Sequence, residues 1–321
     1  MNMSKARTVR GYRTLVGILA ALLLTLPASA SGWKNKKAMP SARYWAAVET
    51  INGIIYVAGG NGGSGDTSTL QAFNPETNTW TTLANMPSGR YDGDGAGVIN
   101  GQLYVAGGWT TASGLPQDTL YMYDPPSNTW TALATMPQLS GCGASGVINS
   151  KLYVTTPCNG FDGYYNYLDV FDPLTGAWTS LPQSSNAHAN PAFGVINGKF
   201  YVAGGVNDSS VIANALEVYD PLANTWTTLA PMPTAVQNPA SVALNGRLYV
   251  FGGNNGTSNV VTVQTYNPFT NTWQTLSTAA LPKAIANSSG VVVYGIPFVE
   301  GGYESATTGT DEYLIVTPSI P

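Results

Sequence analysis

The chain of 321 residues holds one histidine, two cysteines and only 9% charged residues, with 13 Lys and Arg against 17 Asp and Glu. A Ser-His-Asp triad would rest on His188 alone, and no nucleophile elbow accompanies it. Few and scattered basic residues with a pI near 4.9 argue against a nucleic-acid partner. Beyond Thr14–Leu26 no apolar stretch approaches the length of a membrane span. With 44% hydrophobic residues the chain is not globally disordered. What is plentiful is turn chemistry: 36 Gly and 21 Pro fit an all-β protein better than a helical one.

Lys5, Arg7, Arg10 and Arg13 precede that apolar run, and Ala28-Ser29-Ala30 follows it, the pattern of a secretory signal cleaved after Ala30. Its 13 residues would span roughly 20 Å as a helix, short of the ~30 Å hydrocarbon core. Residues 1–30 are therefore expected to be a signal peptide and 31–321 a single exported domain, secreted or periplasmic, with no membrane span of its own. From Ser31 onward 9 basic residues face 17 acidic ones, a balance that does not attract anionic membranes.

Tryptophan recurs every 47 to 50 residues, at Trp33, Trp80, Trp130, Trp178, Trp226 and Trp273. Met-Pro or Leu-Pro follows each, from Met39-Pro40 to Leu281-Pro282, and paired glycines recur at Gly59-Gly60, Gly107-Gly108, Gly204-Gly205, Gly252-Gly253 and Gly301-Gly302. Asn-Gly at Asn52-Gly53, Asn100-Gly101, Asn197-Gly198 and Asn245-Gly246 marks a two-residue hairpin in each unit, with Asn149-Ser150 and Tyr294-Gly295 as weaker versions. Each unit reads as four short strands: a small apolar one, a second ending in Gly-Gly, a third ending in Asx-Pro, and a fourth carrying the Trp. Units that cannot cover their own faces pack radially, with the small strand innermost and the Trp wedged between neighbours. The last unit stops before its Trp strand, while Trp33 has no strands before it. The N-terminal strand is thus expected to complete the last blade and remove the free edges.

Paired glycines, Tyr-[Asp/Asn]-Pro-x-x-Asn-x-Trp and a following Met-Pro resemble kelch repeats over essentially all of 31–321. The resemblance implies an all-β, six-bladed kelch-type β-propeller, closed by the N-terminal strand. It leaves function open, because kelch propellers serve as binding modules, sugar-active enzymes and copper oxidases.

Cys142 and Cys158 flank the Asn149-Ser150 turn. Two cysteines alone in an exported chain point to a disulfide, although an ideal hairpin sets 142 opposite 157, so a bulge is expected to absorb one step. Functional residues are expected on the loops that converge on the axis: Arg43, Tyr44, Trp45, Arg90, Tyr91, Asp92, His188, Asn190, Asn238 and Asn287 after each Met-Pro, and Trp109, Tyr303, Glu304 and the aromatic run from Asn159 to Tyr167 after each Gly-Gly. Counted back from the hairpin Asn, Arg43, Tyr91 and His188 are equivalent, with Arg90 adjacent after a one-residue insertion in its unit. Asp92 and Asp94 lack the further ligands of a calcium loop, so no metal and no cofactor is expected.

The reading that fits best is a non-catalytic module, monomeric, that binds a protein or carbohydrate ligand at the propeller mouth. The alternative is a sugar-acid mutarotase or epimerase similar to the kelch-type sialic acid mutarotases. Arg43 and Arg90 would then hold the carboxylate, and Glu304, Asp92, His188 or a channel-facing Glu49 would move the proton. A copper radical oxidase of the galactose oxidase kind would need two histidines and is set aside.

Overall fold

The structure, a computed structural model, describes residues 32–92, 95–158, 160, 163–304 and 314–316. The expected signal peptide, Asp94, and Asn159 and Phe161 of the aromatic loop lie outside them.

The protein is an all-β β-propeller of kelch type. Five sheets of four antiparallel strands follow one another in sequence. The first comprises Ala47–Ile51, Ile54–Ala58, Leu70–Asn74 and Thr79–Thr82. The inner strands of the next four are Gly95–Ile99, Ser145–Ile148, Ala192–Ile196 and Ala240–Leu244. A further sheet is built from both ends of the chain: Ser289–Val293 and Ile296–Glu300 pair in sequence, Leu314–Val316 adds next, and Trp33–Asn35 pairs with it in the register Trp33↔Val316.

Both hairpin residues lie in the left-handed region, at φ 51° and 79° for Asn52-Gly53 and 53° and 77° for Asn100-Gly101. The weaker turns adopt the same geometry without the ideal residues, with Ser150 at φ 59° and Tyr294 at φ 50°. Small inner-strand residues are required by the neighbouring sheets: a Cβ on Gly97 would lie 2.7 Å from both Leu152 and Val147, and one on Gly146 2.6 Å from Val195.

The tryptophans sit between sheets, but half-buried at the outer edge rather than in the core. Each indole N–H donates to the chain leaving the preceding sheet: Trp80 to Lys37 O, Trp130 to Ala84 O, Trp178 to Ala134 O, Trp226 to Pro182 O and Trp273 to Ala230 O, at 2.8–3.0 Å. Trp33 makes the same bond to Ala280 O, 247 residues away.

The paired glycines have a second role besides positive φ. The Gly60, Gly108, Gly205 and Gly253 amides donate to the loop carbonyls of Arg90, Ser140, Val236 and Ile285, each at 2.8 Å. A Cβ on Gly59 would stand 2.4 Å from Arg90 O. Glycine is the residue that lets the next loop approach this closely.

Cys142 and Cys158 form a disulfide, with Cα atoms 6.0 Å apart. The expected bulge is replaced by something simpler. Gly141 bridges Cys158 in the register of Ser145↔Val154, and Cys142 adopts φ 63°, which turns its side chain toward its partner.

Candidate functional site at the propeller mouth

After each Met-Pro or its equivalent, the loop crosses toward the inner strand through one left-handed residue: Trp45, Asp92, Cys142, Asn190, Asn238 and Asn287, at φ 52–63°. The backbone N–H of each donates to the carbonyl of the equivalent residue in the neighbouring loop. Asp92 donates to Trp45, Cys142 to Asp92, Asn190 to Cys142, Asn238 to Asn190 and Asn287 to Asn238, and Trp45 donates to Asn287, over 2.5–3.5 Å. The bonds run head to tail and return to their start.

This ring fixes what its side chains can do. Trp45 Nε1 donates to Asn238 Oδ1 at 3.1 Å. With its amide nitrogen toward Asp92, Asn190 donates to both carboxylate oxygens at 3.0 and 3.3 Å and to Asn238 Oδ1 at 3.2 Å. Burial pushes the Asp92 carboxyl up to about 7.

Two cavities meet at the ring. The axial one, about 450 Å³, runs along the inner strands and is lined by Trp45, Asp92, Asn190, Asn238, Asn287 and, deeper, Glu49. The Glu49 carboxylate accepts from the Thr50 amide at 3.3 Å, and burial raises it to about 7. The second, about 580 Å³, has aromatic walls from Trp45, Tyr91, Trp109 and Tyr164, with the disulfide on one side. Trp45 stacks on Tyr91 at 5.6 Å. The Trp109 indole lies over Gly141, where a Cβ would fall 2.1 Å from Nε1. Trp45, Asp92 and Asn190 line both. Both volumes fall within the ~300–1,000 Å³ of small-molecule pockets.

Other expected residues are placed elsewhere. Arg43, Arg90 and His188 are 1%, 2% and 4% exposed and point into their own sheets. Arg43 donates to Gln71 Oε1, to Thr69 O at 3.3 Å and to Met39 Sδ at 3.1 Å. Arg90 donates to Gly107 O at 2.7 Å and Thr119 Oγ1 at 2.8 Å, and lies 4.3 Å over the Tyr121 ring. His188 donates through Nδ1 to Gly204 O at 2.8 Å, and its Nε2 is 3.0 Å from Glu217 Oε2. Burial alone would raise Glu217, but hydrogen bonds from His188, Asn186 and Ser185 hold it down at about 2. The arginines therefore do not reach a carboxylate at the mouth, because both side chains are buried inside the blades, where the Arg43 guanidinium and the Arg90 Nη donors find their partners.

The equivalence is corrected as well. Tyr44 bridges Asn61 as Tyr91 bridges Trp109 and Ala189 bridges Val206. Arg43, Arg90 and His188 are thus the matching set, and the extra residue of that unit falls between Asp92 and Gly95. Glu304 lies away from both cavities in an ion pair with Lys283 at 2.7 Å. Tyr44 and Tyr303 pack on each other at 5.8 Å and line neither cavity. Gly163 and Tyr164 of the groove belong to the aromatic run, which the sequence marks only as a whole, and Ser210, in the loop after Gly204-Gly205, carries no sequence signal of its own.

A sequence profile described as the Attractin/LZTR1 beta-propeller matches residues 62–310. The chain belongs to that family. Among relatives of this Attractin/LZTR1-type propeller, human Kelch-like protein 15 is 39% identical over 83 residues, 24% of this chain and 14% of that protein. An F-box/kelch-repeat protein of Arabidopsis thaliana is 38% identical over 79 residues, 24% of this chain and 21% of that protein. The chain thus spans about a fifth or less of the curated relatives it matches. A solved structure titled "Structure of YjhT" superposes with a TM-score of 0.77 at 20% identity, covering 89% of this chain and 97% of that one, a likeness of fold. Among the described residues no helix of the propeller is long and apolar enough to cross a membrane, and no three His, Cys, Asp or Glu gather as metal ligands.

Proposed function

We propose that this is an exported, non-catalytic, six-bladed kelch propeller that binds a neutral carbohydrate at the mouth of its ring. The observation that carries the reading is the aromatic groove of Trp45, Tyr91, Trp109 and Tyr164 opening onto the Asp92–Asn190 pair, with no basic side chain among the described lining residues. Aromatic faces pack against the apolar face of a pyranose, while an amide and a carboxyl, which donate and accept, suit its hydroxyls.

The six-blade count rests on the composite sheet and the cyclic hydrogen bonds, with Trp33–Asn35 as the fastening strand. Residues 1–30 act as the export signal and 31–321 as one domain, in keeping with a disulfide in an oxidising compartment. The sugar-acid mutarotase reading loses its anion grip, since Arg43 and Arg90 are spent within the blades.

A thermal-shift screen of the purified protein against neutral sugars and sugar acids tests the reading. A ligand that binds only the folded state raises its stability with dose. Neutral sugars should shift the melting temperature, and Trp109→Ala should remove the shift. A shift given only by sugar acids would defeat the proposal.

A further inference from the structure

The third sheet departs from its neighbours at the point where the others are fastened to the incoming loop. One residue of each third strand pairs with the second-strand valine: Gln71↔Val57, Tyr121↔Val105, Asp169↔Val154, Glu217↔Val202 and Gln264↔Val250. Four of the five are met by the loop. Gln71 accepts from Arg43, and Tyr121 lies under Arg90. Glu217 accepts from the Ser185 and Asn186 amides and faces His188, and Gln264 exchanges two bonds with the Thr234 backbone, at 2.8 and 3.1 Å. In the third sheet Gly141 bridges Cys158 as Tyr91 bridges Trp109, so Ser140 takes the loop position of Arg43, Arg90 and His188. A serine brings no charge to Asp169.

Asp169 is 1% exposed, and Ser180 Oγ donates to its Oδ1 at 2.6 Å. Its Oδ2 has no hydrogen-bond partner among the described residues. Thr156, also 1% exposed, stands two residues from Val154 and therefore on the same face of the sheet as Asp169. Its Oγ1 has no partner among the described residues either. Thr156 replaces the first glycine of the pair in the other sheets, whose carbonyl accepts from Arg90 at Gly107 and from His188 at Gly204. Two buried oxygens are thus left open where other sheets receive a loop donor. The neighbouring chain has no cation to offer them. Between Arg90 and His188 the one basic residue is Lys151, and it pairs with Asp172 at 2.9 Å.

A buried carboxylate calls for a counter-charge or a proton. A proton on Oδ2 would be a buried donor without an acceptor, since the two open oxygens do not bond each other. A water would join the oxygens and leave the charge in place. A small cation answers both. Burial raises the Asp169 carboxyl even with Ser180 donating to it, as a missing counter-charge does.

We propose that Asp169 and Thr156 hold a monovalent metal cation of the sodium class inside the third sheet, in the place of the loop cation of the first, second and fourth. Asp169 Oδ2 supplies the charge, Thr156 Oγ1 a neutral donor, and Ser180 Oγ is a further oxygen beside the same carboxylate. Oxygen donors without sulfur or imidazole suit this class of ion rather than zinc or copper. One carboxylate balances one positive charge and leaves a divalent ion half-compensated. The site lies at the foot of the loop between Thr156 and Tyr167, which carries Cys158 and Tyr164 to the groove. It goes beyond the carbohydrate reading and stands without it.

Melting curves of the purified protein in sodium, potassium, calcium or tetramethylammonium chloride, at constant ionic strength, test the proposal. Tetramethylammonium is too large for a buried site and controls for screening. Sodium or potassium should raise the melting temperature with dose, by roughly 2–4 °C at saturation, relative to tetramethylammonium. Asp169→Asn, close to isosteric, should melt at the same temperature in all the monovalent salts. Thr156→Val, which keeps the shape and removes the hydroxyl, should weaken the dependence and serves if the first variant does not fold. No alkali-dependent rise in the parent, or the same rise in the folded variants, overturns the proposal. A rise given by calcium alone overturns it as well.

Discussion

Positions two residues apart in the same loops do opposite work. Arg43, Arg90 and His188 turn into their own blades, and Trp45, Asp92 and Asn190 face the axis. The first set pins the loop to the third strand through Gln71, Tyr121 and Glu217, with different chemistry in each blade. The second set shares a single left-handed backbone and carries diverse side chains into one space. The contrast shows that charge alone is a poor guide to a site. Most charged loop residues here are fasteners, whereas amides, an indole and a single carboxyl form the mouth.

Breaking a fastener should produce the largest change. Glu217→Ala leaves His188 and the Ser185 and Asn186 amides without their acceptor, and should cost about 3–5 kcal/mol in chemical denaturation. Arg90→Ala should cost somewhat less, about 2–4 kcal/mol, through lost hydrogen bonds and the stack on Tyr121. Ligand affinity per folded molecule should be unaltered in both.

Glu217 and the carboxyls at the axis respond to pH with opposite sign. Glu49 and Asp92 at the axis, and Glu300 beside Arg43, are raised by burial to about 7. The folded state holds their protons more tightly than the unfolded chain, so their contribution is present below pH ~4 and lost as pH rises to about 7. Glu217, held at about 2, acts the other way. Its stabilisation is present above ~4.5 and lost as pH falls toward 2. Urea midpoints should decline from pH 4.5 to 7.5, and Glu49→Gln should flatten that decline.

How much of this could be read from the sequence follows the same division. The repeat, the strands and the hairpins were legible because Asn-Gly, Gly-Gly and Trp are each tied to one local geometry. The site was legible in part. Trp45, Asp92, Asn190, Asn238 and Asn287 were named from their place after Met-Pro, but nothing in a Trp or a Cys announces the left-handed conformation that unites them. Loop position alone puts Arg43 and Arg90 at the mouth and says nothing of which way a long side chain turns, which here is into the blade. The extra residue between Asp92 and Gly95 then shifted Tyr91 into their register. Glu49 could be placed only by seeing that its strand edge faces the axis.

Site substitutions should reverse the pattern of the fasteners. Trp109→Ala and Asp92→Ala should change stability by about 1 kcal/mol or less and weaken carbohydrate binding at least roughly tenfold. The smallest effect belongs to the hairpins, which touch neither region. Ser150→Gly relieves a left-handed serine at φ 59° and should stabilise by about 0.5–1 kcal/mol, with no change in binding.

The most direct measurement is a paired titration of Arg90→Ala and Asp92→Ala with neutral sugars and sugar acids, alongside their melting curves. The Arg90 variant should melt lower and bind neutral sugar as the parent does, while the Asp92 variant should melt near the parent and lose binding. Sugar-acid binding that vanishes in a folded Arg90 variant and survives in the Asp92 variant would contradict the account.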